Sequence, residues 1–274
     1  MSQFEQIRLI ASDMDGTLLN SAHEWSDSFP AELDRLIKNG VLFVAASGRQ
    51  FYNLQNRFES KQGQIAFAAE NGSYVVCKGQ ELMVEALDAK TVVELIKVAR
   101  TIPDIYILLC GKRKAYIEST EPELLKNFTQ YFDRYEVVDE LESAAGEDIL
   151  KVTICDLNGS EKHSYPFFKE WEDRVLVKVS GEIWLDLSHK RANKGRAIAC
   201  LQKHLGISSS ETMVFGDYLN DLEMMKEACF SYAMANAHPQ LKEVARFETD
   251  SNDNDGVVKV LKEVNRALES VFSK

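Results

Sequence analysis

No apolar run in the chain approaches the roughly 18 residues that a membrane-spanning helix requires. The longest, such as residues 41–46, have the length of a buried strand. Proline (5) and glycine (14) are sparse among 274 residues, and 45% of the chain is hydrophobic against 27% charged, which excludes collagen-like and disordered chains. The five cysteines (Cys77, Cys110, Cys155, Cys200 and Cys229) are odd in number, scattered and never in a C-x-x-C pair. The expectation is buried thiols in a reducing compartment, with no disulfide framework and no zinc site. The opening Met1-Ser2-Gln3-Phe4-Glu5-Gln6 has no basic region followed by an apolar core, so a soluble, cytoplasmic protein without a secretory leader is expected. Positive charge is also in deficit. Against 43 Asp+Glu stand 32 Lys+Arg, a formal net charge of −11 that argues against nucleic-acid partners, as the lack of a long apolar run argues against a membrane one. An anionic substrate would have to be received by a few local cations.

What is present is length enough for two domains, or one large one, with a core that needs no staples. Strand-like and helix-like segments alternate. Residues 7–12, 41–46, 65–69 and 212–215 read as apolar strands, and 30–39, 192–204, 219–228 and 255–271 as helices. This rhythm predicts a parallel sheet with helices on both faces, an α/β fold of the Rossmann-like, doubly wound kind. Between residues 84 and 187 the strands alternate more with polar residues, at 106–109, 151–155, 175–179 and 183–186. Helical segments fall at 88–100, 122–132 and 165–171. That pattern predicts an inserted α+β domain with an antiparallel sheet, one wet face and helices on the other. The division expected is 1–83 and 188–274 for the core and 84–187 for the insertion.

Four short stretches carry the chemistry. Asp13-Met14-Asp15-Gly16-Thr17-Leu18 follows the first strand, where open α/β folds gather functional groups, and carboxylates at i and i+2 can converge on one cation. An EF-hand reading, with Asp13, Asp15, Thr17 and Glu24 as ligands, fails. Leu18 stands where that loop needs glycine, and a strand rather than a helix precedes it. Ser47-Gly48-Arg49 follows the second strand, a small hydroxyl and backbone N–H at a strand-to-helix junction that can cradle phosphate, with Arg49 as an added cation. Asn193-Lys194-Gly195 opens a helix, where a lysine opposes the macrodipole and so invites a reason. Gly216-Asp217-Tyr218-Leu219-Asn220-Asp221 is a second acidic strand end that could complete a divalent-metal site with Asp13. Each stretch alone also has a bland reading, as a turn, a helix cap or a solvated lysine.

Taken together and in this order, with Glu70-Asn71-Gly72, the 234–237 stretch and Asp255-Gly256-Val257, these motifs resemble the haloacid dehalogenase superfamily of phosphohydrolases, in particular its Cof-like branch (subclass IIB). The resemblance covers nearly the whole chain and implies an α+β cap between the second and third motifs. It implies a Mg²⁺-dependent phosphatase that hydrolyses small phosphomonoesters, sugar phosphates above all, through an aspartyl-phosphate. Asp13 would be the nucleophile and Asp15 the general acid and base. Ser47, Gly48, Lys194 and Asn220 would bind the phosphoryl group, and Arg49 would touch the phosphate, the substrate or only the cap. The Mg²⁺ ligands would be the Asp13 and Asp217 side chains and the Asp15 carbonyl, with Asp221 direct or one layer out. Thr17 and Asn71 would brace loops, and the cap would close over the site and govern specificity. The partner implied is a small phosphorylated metabolite. Oligomeric state is left open, a monomer being compatible, and His189-Lys190-Arg191 receives no role. Rival readings are a phosphomutase of the same superfamily, a non-catalytic sugar-phosphate sensor and a receiver-like phospho-acceptor.

Overall fold

The computed structural model describes residues 4–272. Residues 1–3, part of the stretch read for a leader, and 273–274, at the end of the expected core, lie outside the described residues.

In chain order the strands are β1 (Leu9–Ser12), β2 (Leu42–Ala46), β3 (Ala66–Ala69), β4 (Tyr74–Cys77), β5 (Gln80–Val84), β6 (Tyr106–Gly111) and β7 (Ala115–Ile117). They continue with β8 (Tyr135–Val137), β9 (Ile149–Cys155), β10 (Leu176–Gly181), β11 (Trp184–Ser188), β12 (Thr212–Gly216), β13 (Phe230–Met234) and β14 (Phe247–Thr249). The helices are α1 (Phe29–Lys38), α2 (Phe51–Arg57), α3 (Ala89–Ala99), α4 (Pro122–Phe128), α5 (Tyr165–Phe168), α6 (Lys194–Leu205), α7 (Leu222–Lys226), α8 (Pro239–Val244) and α9 (Gly256–Phe272). The chain divides into two compact units. One comprises residues 1–48, 58–83 and 193–274; the other comprises 49–57 and 84–192.

The first unit holds an eight-stranded sheet in the order β14-β13-β12-β1-β2-β3-β4-β5. From β14 to β3 all pairs are parallel, and β4 returns antiparallel to β3. Every residue of β1, β2 and β12 is buried, as parallel strands covered on both faces require. The fold is the doubly wound α/β type. From β1 the chain proceeds outward through β2 to β3, and from β12 outward through β13 to β14. The winding therefore reverses between β1 and β12, and in such sheets that switch point is where ligands bind. Beneath α1 an aromatic cluster packs Phe58 against Trp25, Phe29, Phe43 and Phe67, with ring centroids 5.3 to 6.3 Å apart.

The second unit holds a six-stranded sheet in the order β10-β11-β9-β6-β7-β8. Its pairs are antiparallel except β7 with β8, which run parallel. One face packs Leu109, Val152, Ile154, Leu185 and Leu187 against Val92, Leu95, Ile96 and Ala99 of α3 and Phe168 of α5. The opposite face is not the wet one expected. Leu108, Cys110 and Ile117 are covered by Leu124 and Phe128 of α4, and further along Lys151, Thr153 and Asp186 are all buried. The polar alternation was read as solvent exposure, but these side chains satisfy one another across paired strands. Thr153 Oγ1 donates to Asp186 Oδ1 at 2.6 Å and Lys151 Nζ lies 3.4 Å from Asp186 Oδ2.

The boundaries also differ from those expected. Residues 49–57 group with the second unit, because Gln50 Nε2 donates to the Arg134 carbonyl (2.8 Å) and Asn53 Nδ2 to Asp133 Oδ1 (2.7 Å). Residues 188–192 group there too. Ser188 is still in register with Leu176 and Lys151, and Arg191 Nη2 donates to Glu85 Oε2 at 3.0 Å.

Candidate active site

β1 and β12 lie side by side, with Ser12 in register with Phe215, so the residues that follow them emerge at the same sheet edge. Asp13 N donates to the Phe215 carbonyl at 3.0 Å, which carries the pairing one residue past the strand. One oxygen from each of Asp13, Asp217 and Asp221 lies within 4.8 Å of the others. The loop between Gly216 and Asp221 is folded back on itself, Asp221 Oδ2 accepting from the N–H groups of Asp217 (3.1 Å) and Tyr218 (3.3 Å). Thr17 Oγ1 donates to Asp217 Oδ1 at 2.7 Å. Gly16 is required between them: its φ is +81°, and a Cβ there would stand 2.4 Å from Asp217 Oδ2.

Lys194 is the first residue of α6, whose N-cap is Asn193, its side chain accepting from Arg196 N at 2.8 Å. The macrodipole disfavours a cation at that position. Two carboxylates outweigh it, since Lys194 Nζ donates to Asp13 Oδ1 at 2.5 Å and to Asp221 Oδ1 at 2.7 Å, with the lysine side chain fully buried. Burial works against the ammonium, but Asp13 and Asp221 prevail and raise the Lys194 pKa. The Asp13 carboxyl is pushed well above the usual carboxylate range, chiefly by burial and further by Asp221 and Asp217, with Lys194 opposing. Burial, then Asp221, pushes Asp217 up to about 6, against the Thr17 hydrogen bond.

Three hard carboxylate oxygens converging at a strand switch point, two of them held above their ordinary pKa values by burial and by one another, make a donor set that fits a small divalent cation. Within it, Asp221 has both oxygens engaged, one on Lys194 and one on backbone N–H groups, so it orients the ammonium and the loop. The Asp15 carboxylate is not one of these three; its Oδ1 lies 3.1 Å from His23 Nδ1.

The chain matches the family model for haloacid dehalogenase-like hydrolases over residues 10–261. It belongs to that family. A relative at 34% identity, covering 94% of this chain and 96% of its own, is the 5-amino-6-(5-phospho-D-ribitylamino)uracil phosphatase YbjI of Escherichia coli (strain K12). An HMP-PP phosphatase of Escherichia coli O6:H1 is 27% identical over 86% of each chain. A crystal structure from Streptococcus mutans UA159 superposes with a TM-score of 0.83 at 31% identity, over 94% of this chain and 98% of that one. This haloacid dehalogenase-like chain is a phosphatase by class.

The other residues singled out from the sequence of this hydrolase are distributed as follows. Ser47 is buried directly after β2, its N–H donating to the Ala68 carbonyl, and Gly48 lies against the Asn71 side chain. Asn71, in the left-handed region at φ 54°, donates its N–H to the Ser47 carbonyl and accepts Asn220 Nδ2 at 3.1 Å. Asn220, expected on phosphate, thus ties the fourth motif to the loop that backs Ser47. Arg49 is placed in the second unit and buried there. Its Nη1 donates to the Gln130 carbonyl (2.6 Å) and Asn53 Oδ1 (3.0 Å), and its guanidinium lies 5.0 Å from the Tyr131 ring centre.

Sequence reasoning passed over two groups of residues. One braces the loop after the first motif. Asn236 Nδ2 holds the Gly16 carbonyl, Asn252 Nδ2 the Leu19 carbonyl, and Asp253 receives both the N–H and the hydroxyl of Ser21. The signal was faint: 234–237 and 255–257 were noticed as motifs but had no stated work. The other is His23, for which an isolated histidine in a polar loop gave no signal. The stretch His189-Lys190-Arg191 also acquires a place. His189 Nδ1 lies 3.4 Å and Arg191 Nη2 3.0 Å from Glu85 Oε2, which pins together the two segments of the second unit nearest its passages at 83/84 and 192/193.

Proposed function

We propose that this protein is a Mg²⁺-dependent phosphatase of small phosphomonoesters, sugar phosphates in particular, working through an aspartyl-phosphate. The observation that carries the reading is the Asp13 carboxylate at the β1/β12 switch point, paired to a buried Lys194 and grouped with Asp217 and Asp221. Asp13 attacks phosphorus: a bond forms from its oxygen while the bond to the leaving alcohol breaks, and Asp15 gives that alcohol its proton. Asp15 then takes a proton from water as the water attacks the aspartyl-phosphate, releasing inorganic phosphate and restoring the Asp13 carboxylate. Lys194, Ser47, the Gly48 N–H and Asn220 hold the phosphoryl oxygens as their charge redistributes. When bound by Asp13, Asp217 and the Asp15 carbonyl, with Asp221 behind them, Mg²⁺ would neutralise the crowded carboxylates and the incoming phosphate. The raised pKa of Asp13 works against nucleophilic attack by its ionised form, and Lys194, 2.5 Å away, acts in the other direction.

The relatives are named for phosphatase activity on a phospho-D-ribitylamino-uracil and on HMP-PP. Those names support hydrolysis rather than mutase transfer, and small phosphorylated metabolites as substrates. Among the described residues no helix is long and apolar enough to cross a membrane, in keeping with a cytoplasmic enzyme. In this reading the inserted unit governs substrate choice. Purified protein should release phosphate from p-nitrophenyl phosphate when Mg²⁺ is supplied and cease when it is chelated. Asp13→Asn should lower kcat by roughly a thousandfold or more with the circular-dichroism spectrum unchanged. Undiminished turnover in that folded variant overturns the nucleophile.

A further inference from the structure

The loop between β1 and α1 carries a histidine in an unusual backbone conformation. His23 has φ 60°, a region that residues with a Cβ adopt rarely and at a cost. The turn around it is closed by four hydrogen bonds. Asn20 N donates to the Glu24 carbonyl, His23 N donates to the Asn20 carbonyl, and the Asn20 side-chain oxygen accepts from Ala22 N and Glu24 N. The loop's flanks are tied to a second segment, Ser21 to Asp253, Leu19 to Asn252 and Ser26 to Asp255. The outcome of this construction is that His23 Nδ1 lies 3.1 Å from Asp15 Oδ1.

We propose that His23 is a positioning residue for Asp15, holding the carboxyl so that its other oxygen, Oδ2, faces the leaving-group oxygen. The inference rests on the phosphatase reading, in which Asp15 delivers the proton. A carboxyl rotates about its Cβ–Cγ bond, and Asp15 is partly exposed, its side chain 33% accessible, so burial alone does not fix it. With Nδ1 as the donor, the bond to Oδ1 sets the plane of the carboxyl, and Oδ2 is the oxygen assigned to deliver the proton. The transfer is simple in its accounting: the O–H bond at Oδ2 breaks as the O–H bond of the departing alcohol forms, and Asp15 is left as a carboxylate whose Oδ1 remains hydrogen-bonded to the imidazole. Geometry of this kind matters because a general acid contributes only from within hydrogen-bond reach and in the right orientation.

The prediction separates leaving groups. A nitrophenolate departs with little protonic assistance, whereas an alkoxide must be protonated as it leaves. The experiment compares kcat for p-nitrophenyl phosphate and for glycerol phosphate, an alkyl ester, in wild type, His23→Asn and His23→Gly. Both substitutions tolerate the left-handed backbone, so the turn is kept while the ring is lost. The ratio of alkyl to aryl kcat should fall roughly tenfold or more in both variants, a fraction of the 10²–10⁴ that a general acid supplies. A disturbed loop or a weakened metal site would slow the two esters alike, so an unmoved ratio overturns the role of His23. Wild type inactive on both esters overturns the phosphatase reading and this inference with it. Wild type active with an unmoved ratio overturns this inference alone.

Discussion

Three carboxylates crowd one ammonium at the end of β1, and the balance of these charges sets what each side chain can do. Lys194 is committed to Asp13 and Asp221, and Asp217 accepts from a hydroxyl, that of Thr17. Its pKa is raised to about 6 by burial and by Asp221, which means that at neutral pH the metal-free fold carries an unfavourable ionised group. Asn at this position still offers an oxygen to Thr17 and removes the charge. Asp217→Asn should therefore stabilise the metal-free protein at pH 7, by on the order of 2 kcal/mol, in urea unfolding with a chelator present. Under the proposed function Mg²⁺ should stabilise wild type, and the variant should lose much of that gain, since binding to the native state alone is what raises stability. A variant less stable than wild type without metal contradicts the charge argument. At this scale Asp13, Asp217, Asp221 and Lys194 were legible because acidic strand ends and a lysine against a helix dipole are local anomalies. His23 was not, since its partnership with Asp15 depends on a turn closed by Asn20. For Arg49 the sequence left phosphate, substrate and cap open, because its partners Gln130 and Tyr131 are some eighty residues away in the chain.

The connections between elements carry their own electrostatics. A single turn, residues 208–211, joins α6 to β12 and is closed by a capping box: Ser208 N and Oγ both donate to Glu211 Oε2, at 2.9 and 2.7 Å. Arg8, at the entry to β1, reaches across to Glu211 Oε1 at 3.1 Å, beside the backbone bond from Arg8 N to the Glu211 carbonyl. The Ser208 backbone and side-chain bonds, then Arg8, lower the Glu211 pKa to about 2 from its ordinary 4.5. A carboxylate with a depressed folded pKa contributes stability that is fully present above its unfolded value and is lost as pH falls toward the folded one. The stability difference between wild type and Glu211→Gln should therefore hold steady at neutral pH, shrink below about pH 5 and vanish near pH 2, as read from denaturant midpoints along a pH series. A difference independent of pH contradicts the assignment. Elements were legible in the sequence where burial is uniform or amphipathy clean, as in β2, β12 and α1. The polar helix α2 was not, because its side chains are satisfied by Asp133 and Arg134 rather than by near neighbours in sequence. The segment 219–228 was read as one helix, but it is a 3₁₀ turn at Leu219–Asp221 followed by α7, a change that lets Asp221 face Lys194.

For the molecule as a whole, the chain passes four times between two units that each bury their own apolar core, at 48/49, 57/58, 83/84 and 192/193. Phe58 is buried among the aromatic rings of the first unit, and Phe168 is fully buried in the second between α3 and the six-stranded sheet. Truncating either ring leaves a cavity and should cost about 3–5 kcal/mol. Where that cost is felt distinguishes one cooperative molecule from two. If each core governs its own unit, Phe168→Ala opens the second unit sub-globally, and native-state hydrogen exchange should show β6, β9 and β11 losing protection while β1, β2 and β12 keep theirs. Phe58→Ala should lower protection in β1, β2 and β12, and should reduce turnover, because β1 and β12 set the spacing of Asp13 and Asp217. Equal loss of protection in both sheets from either variant would mean that the four crossings transmit stability as one unit. In the first outcome the carboxylate cluster and its lysine are held by the doubly wound sheet, independently of the six-stranded insertion. The p-nitrophenyl phosphatase activity of Phe168→Ala at temperatures below its first unfolding step should then approach that of wild type, while its turnover of bulkier sugar phosphates declines with the integrity of residues 84–192.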